Sequence, residues 1–544
     1  MTSLLDPSSR SLVLAVVSVF VVVCLMLCVI TGADEDDRAL VRSDSRRLRS
    51  WQQGIAMGGD TTTVATVTVL VGMVAVSGFD GLGVMLGSLL GVVLFLVLLV
   101  EPLRRHASLT AADLLDARGS GGRAVRLSWG AVTLLVCFPL LVVQLVVVGN
   151  VAAALIGQPG LRTGCIVLIG CVMTALAVIG GIRGTGVVMI AKSVITLPVL
   201  VVTAVLVLHR FGGDPGRLLD AAAHGSHMGE AYLRPGGYTG DGWVGAVNRI
   251  GQMFGMSLAT LAMPAVLMRA ISTKSPRGAR IAGRWMLGEL VLLYGALAVV
   301  GVGAAALVGE VLREAGPAAQ VFTPLVLGRA LDHGGVLVAA LACVLFLTAL
   351  AAVVDVTLAA GIALGRDVLG TSGTPVAGRR PSGRADGATS RWSAAATGAV
   401  ASVVAVVAAD WNLVVVSTLW LAICGAALAP VLLYAVYWPG FTARGALWCL
   451  WGAAALSIAA LALSPYTSGT PGSLFPGHDF KVWDVTIPGL VTAPAGFLLG
   501  WLGSVTDRRW PANGRRAQGT SEKGKEKGRG RGRGKERERE LDVV

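Results

Sequence analysis

Two carboxylates, Asp60 and Asp355, stand inside long runs of apolar residues. Asp60 closes the segment Gly58-Gly59-Asp60 and is followed by Thr61, Thr62 and Thr63. Asp355 is set in Ala351-Ala352-Val353-Val354-Asp355-Val356-Thr357. A carboxylate in an apolar medium is expensive unless a cation, a proton or a set of donors meets it. Each therefore marks either a pathway for an ion or a small solute, or a buried structural pair. For Asp60 the structural alternatives are capping of a broken helix and pairing with Lys192. Thr357 lies two residues beyond Asp355, so the two side chains point different ways on an intact helix.

The elements that hold these residues follow from composition. The chain has 544 residues, 54% hydrophobic and 14% charged, and apolar runs of membrane-spanning length recur along it. This is an all-α polytopic membrane protein; the alternating strands of a β-barrel are absent. About thirteen spans are predicted, at 11–31, 53–77, 79–101, 127–156, 163–181, 185–208, 243–268, 285–309, 336–364, 393–409, 413–437, 444–463 and 486–503. The first is longer than the core of a signal peptide and is read as a retained helix. Loops after odd-numbered spans are the richer in Lys and Arg, for example Arg38 to Arg49 after the first and Arg269, Lys274, Arg277 and Arg280 after the seventh. That alternation predicts a multi-pass cell-membrane protein with its N-terminus outside and its C-terminus in the cytoplasm. Lys192, near the start of the sixth span, reads as a side chain snorkelling to the surface, with a salt bridge to Asp60 or Asp355 as the alternative.

Spans two to six and seven to eleven form two groups of five. Five is odd, so the second group begins on the opposite membrane face, which is the geometry of an inverted repeat. Each group opens with an interrupted helix: Gly58-Gly59-Asp60 in one, Gly255, Thr260 and Pro264 in the other. Paired interruptions of this kind point to a binding site near the membrane midplane. The chain accordingly divides into a first helix with its loop (1–52), a first repeat (53–209), an external loop (210–242), a second repeat (243–437), two further helices (438–504) and a basic tail (505–544). Gly83, Gly87 and Gly91 put a small-residue ridge on the third span for close helix packing. Glu289, Asn150, Asn248 and Gln252 read as structural residues within the bundle.

Other chemistries lack their residues. All six histidines fall in loops or at span ends, and there is no His-Glu zinc pair or Gly-x-Ser-x-Gly elbow, so an enzyme is not expected. The eight cysteines form no CxxC pair and read as small buried hydrophobes. Much of the +13 net charge sits in the tail, where Lys523 to Glu540 is Gly, Lys, Arg and Glu with nothing to bury. A disordered, solvated cytoplasmic segment is expected there, rather than a nucleic-acid partner. A channel would want a repeated filter or a charged ring, and neither is seen.

Between Gln53 and Gly503 the chain resembles the sodium:solute symporter family, in particular its cation/acetate (monocarboxylate) branch. The resemblance is carried by Gln53-Gly54-Ile55-Ala56 through Asp60, Ser77-Gly78-Phe79-Asp80-Gly81, Leu103-Arg104 and Thr110-Ala111-Ala112-Asp113. It continues through Gly180 to Thr185, Lys192, Pro264 to Arg269, Thr357-Leu358-Ala359-Ala360, Arg366-Asp367, Phe441 to Trp448 and Pro488-Gly489-Leu490. It implies a LeuT-type fold of five plus five helices with peripheral helices, and uptake of a small carboxylate such as acetate coupled to a cation, sodium in this family. No organic cofactor is implied. By position the sodium would rest on backbone oxygens near Gly59 and Thr62, with the Val354 carbonyl and Thr357 hydroxyl opposite and Asp355 beside them. The solute pocket would involve Thr63, Thr66 and Thr260, with Asp60 tuning or gating the site. The chain departs from the branch at Ala265, at Asp355 where glycine is usual, at Arg366, and in the Thr- and Val-rich stretch after Asp60. A carboxylate added at Asp355 suits either stronger sodium binding or a proton as coupling ion. The rival on the same scaffold is a non-transporting sensor, which no following signalling domain supports.

Overall fold

The computed structural model describes residues 48–507, apart from 107–109, 119, 238–239, 241, 316–321, 333–334, 371–382, 412, 470–472, 476 and 486–488, together with scattered positions between 11 and 30. The first predicted span and the basic tail thus lie largely or wholly outside the described residues.

Among these residues the fold is helical. The helices are α1 (Ser50–Thr61), α2 (Val64–Ser77), α3 (Phe79–His106), α4 (Ala112–Ala117), α5 (Arg123–Ala153), α6 (Arg162–Gly181), α7 (Gly184–Arg210) and α8 (Pro215–Gly225). They continue as α9 (Gly242–Leu261), α10 (Pro264–Ile271), α11 (Pro276–Ala315), α12 (Thr323–Leu331), α13 (Val336–Val368), α14 (Arg391–Val407), α15 (Val415–Tyr437), α16 (Ala443–Ala462) and α17 (Gly489–Val505). Nine stretches among the described residues are long and apolar enough to cross a membrane, and α1 with α2 makes a tenth, bent by 57°. The shorter apolar helices α14 and α17 occupy the places of the tenth and thirteenth predicted spans.

The break between α1 and α2 is built by its own residues. Thr62 and Thr63 are extended, with ψ of 94° and 169°. Thr63 then caps α2 by accepting from the Thr66 amide. Such caps satisfy amides that a helix start leaves without partners. The hydroxyls of Thr61 and Thr62 both donate to the Gly58 carbonyl, at 2.7 and 2.9 Å. The second predicted interruption falls at Ala262–Met263, immediately before Pro264, which opens α10. Proline suits the first helical turn, where its missing amide is not needed; Gly255 stays inside α9.

Close approach is uneven along the glycine ridge of α3. A Cβ at Gly87 would meet the Met253 carbonyl at 2.7 Å and one at Gly91 would meet Thr260 Cβ at 2.7 Å, so α9 rests on these two. Gly83 faces open space, against the expectation of a three-glycine ridge. Gly78, at φ 53°, makes the turn from α2 to α3, where its missing side chain admits Tyr232 of the loop after α8. The Tyr232 hydroxyl donates to the Val74 carbonyl at 2.8 Å and pins that loop over the end of α2.

Candidate functional site

The break gathers four charged groups. Arg269, in the last turn of α10, is fully buried. Its Nε donates to Asp60 Oδ2 at 2.5 Å and its Nη2 to Asp355 Oδ1 at 2.5 Å. Asp60 lies one residue from the C-terminal end of α1, the wrong end of a helix dipole for a carboxylate, so it depends on a cation from elsewhere. Asp355, from the middle of α13, reaches the same guanidinium. Each carboxylate keeps one buried oxygen, Asp60 Oδ1 and Asp355 Oδ2, without a hydrogen-bond partner.

Lys192 of α7 is fully buried and does not snorkel, which overturns the sequence expectation. Its Nζ donates to the carbonyl oxygens of Gly59 and Thr62, at 2.6 Å for Thr62. Those carbonyls close α1, where a helix end leaves acceptors free and favours positive charge. The proposed salt bridges of Lys192 to Asp60 and Asp355 are not formed, because Arg269 takes both carboxylates. Arg269 counts as a loop cation in the sequence; the structure draws it into the bundle.

A cavity of about 130 Å³ adjoins the break on the α2 side. It runs from Thr63 and Thr66 along α2 to Ser77 and Tyr466, with Gln252, Thr418 and Trp420 across from them. Thr63 and Thr66 hydrogen-bond each other through their hydroxyls at 3.2 Å. Thr260 does not line it; its hydroxyl lies 3.4 Å from Ser88 Oγ between α9 and α3. Gln252, expected to be structural, does line it. Gln144 of α5 carried no signal beyond being a lone amide in a valine-rich run. Its Oε1 accepts from the Val64 amide at 3.2 Å, while its buried Nε2 has no partner. On the far side of the break, Arg126 of α5 binds Asp113 at 2.9 Å, Asp367 at 3.1 Å and also Asp116, tying α4, α5 and α13 together. Arg366 adds a bond to Asp113 at 3.2 Å.

The family model of the sodium:solute symporter family matches residues 43–452. The chain belongs to the sodium:solute symporter family. This symporter is 27% identical over 511 residues to a monocarboxylic acid transporter of Corynebacterium glutamicum, covering 91% of each chain. It is also 27% identical over 459 residues to an uncharacterized symporter, YwcA, of Bacillus subtilis, covering 84% of this chain and 86% of that one. Among solved structures it resembles a Na+-coupled sialic acid symporter in a substrate-bound outward-open state, with a TM-score of 0.70 at 14% identity, over 91% of this chain and 98% of the other. MhsT in complex with L-phenylalanine matches with a TM-score of 0.51 at 15% identity, over 83% and 98%. These likenesses give the fold, the LeuT type of helix bundle with inverted repeats.

The family implies a sodium ion, and the symporter's own residues test that. Thr357 Oγ1 is buried with no partner, as a waiting ligand would be. The Gly59 and Thr62 carbonyls are not waiting, since the Lys192 ammonium holds both. Asp60 and Asp355 are already balanced by Arg269 and Lys192. A further cation would lie against an ammonium in a low-dielectric interior, where like charges repel strongly. As arranged, this set does not fit a sodium ion.

Proposed function

We propose that this symporter is a secondary active transporter that carries a short-chain monocarboxylate, acetate or one of its small relatives, inward across the cell membrane under a cation gradient. The observation that carries the reading is the cavity that ends on the amino end of α2. About 130 Å³ lies well below the roughly 300–1,000 Å³ of sites for larger ligands, so a small solute is favoured. A helix start with Thr63 and Thr66 beside it attracts a carboxylate without a cationic side chain. Gln144, whose Oε1 accepts from the Val64 amide, braces that helix start without lining the cavity itself. The name of the C. glutamicum relative supports the same solute class. On this reading the Ser77 end of the cavity faces outside and the Arg126 network closes the cytoplasmic side, in keeping with the distribution of Lys and Arg in the loops.

The test is uptake of labelled acetate, propionate and pyruvate into vesicles holding the purified protein, under imposed sodium or proton gradients. Gradient-dependent accumulation of at least one is expected. If none accumulates, nor any larger solute, the transporter reading fails.

A further inference from the structure

The oxygens that by position would hold the family's coupling ion already have a cation on them. Lys192 Nζ bonds the carbonyls of both Gly59 and Thr62, three residues apart across the break. The side chain is fully buried, so these bonds are its destination and not a stop on the way to the surface. Four charged groups face it: Asp60 from α1, Asp355 from α13, Glu289 from α11 and Arg269 from α10. Of these, Asp60 and Asp355 are held by Arg269, while Glu289 keeps a buried Oε2 without a hydrogen-bond partner. The Thr357 hydroxyl of α13, which the family resemblance assigns to the same ion, is buried without a partner. It is a ligand that a free ion would recruit and a tethered ammonium leaves alone.

We propose that the Lys192 ammonium is the resident cation of this site, fixed to α7 in place of a free sodium ion, so that the protein binds no sodium between α1 and α13. The proposal rests on the transporter reading for its significance but not for its test. The stem of Lys192 fixes where the charge sits, and the break at Gly58 to Thr63 provides the two acceptors. The two carboxylates at the break, Asp60 and Asp355, are matched in charge by Arg269 and Lys192, and Glu289 of α11 adds to the negative field that holds the ammonium in place.

Equilibrium binding of radioactive sodium to the purified full-length protein, against a choline background, decides it. The wild type is expected to show no saturable binding. Lys192→Met keeps an apolar stem and takes the ammonium off both carbonyls. It should bind sodium at least about tenfold more tightly than any binding seen in the wild type, the low end of what removing a like charge a few ångströms away brings. Thr357→Ala on that background should abolish the gain, and Lys192→Arg, which keeps a cation, should behave as wild type. Saturable sodium binding by the wild type that Thr357→Ala weakens overturns the proposal, even if Lys192→Met does not fold. So does a Lys192→Met protein that elutes as a single folded species and gains nothing. Absence of solute uptake under every gradient would remove the transporter reading and leave the sodium-binding result standing.

Discussion

Arg269 is buried between two carboxylates that have no other cation within ion-pair distance among the described residues. Removing one partner of a buried ionic cluster strands the others and costs about 3–5 kcal/mol. Arg269→Met is therefore expected to lower thermal stability in detergent by that order, and adding Asp60→Asn with Asp355→Asn should recover much of it. A melt that is unchanged in Arg269→Met would show that the cluster contributes little. Gln144 allows a second test at this scale. Gln144→Leu takes the acceptor from the Val64 amide and deletes the free donor, and an unmet buried group is worth about 1–3 kcal/mol. On the proposed function the KM for the carboxylate should rise about tenfold or more, and the melt should fall by that order of stability; an unchanged KM would mean that Gln144 serves the fold alone. The two carboxylates were legible in the sequence because charge in an apolar run stands out. Their partner was not: Arg269 directly follows Pro264-Ala265-Val266-Leu267-Met268 and is counted with the loop, since hydropathy alone does not tell a span end from a buried turn.

The interrupted helices were readable because glycine weakens the interior of a helix and proline is accommodated best at its start. The sequence does not say which glycines matter for packing, because that depends on what lies opposite. Gly87→Ala should cost about 1–3 kcal/mol, since the added carbon meets the backbone of α9. Gly83→Ala, on the same helix with open space around it, should be neutral or stabilising by about 0.4–1 kcal/mol. Parallel thermal melts separate the two; equal losses would mean that α3 tolerates no side chain on this face at all. The placement of Lys192 was illegible for a related reason. A lysine near a span end can reach the surface or turn inward, and only the free carbonyls at the end of α1 decide between them.

At the scale of the whole molecule, the cavity extends toward Ser77 while Arg126 fastens α4, α5 and α13 on the opposite side. On the proposed function, exchange of access requires that fastening to open. Arg126→Ala should shift the population toward the form open on that side, by a factor of at least about five if the network couples as such clusters do. A cysteine placed at Met73, which lines the cavity, should then react correspondingly more slowly with a thiol reagent added on the Ser77 side. An unchanged rate would mean that the network does not hold the closed face. The helical bundle itself was legible from the recurrent apolar runs, whereas its state of opening is written only in contacts between distant segments. The tethered ammonium has an electrical consequence. A charge fixed to α7 returns with the helix at the end of every cycle, whereas a carried ion does not. Each unit of charge moved through the full membrane field is worth about 2.3 kcal/mol per 100 mV. On the proposed function, a carboxylate that enters with neither a sodium ion nor a proton must climb the inside-negative voltage, whereas one that enters with a proton moves no net charge, so the current and its sign under voltage clamp become a direct reading of what Lys192 replaces.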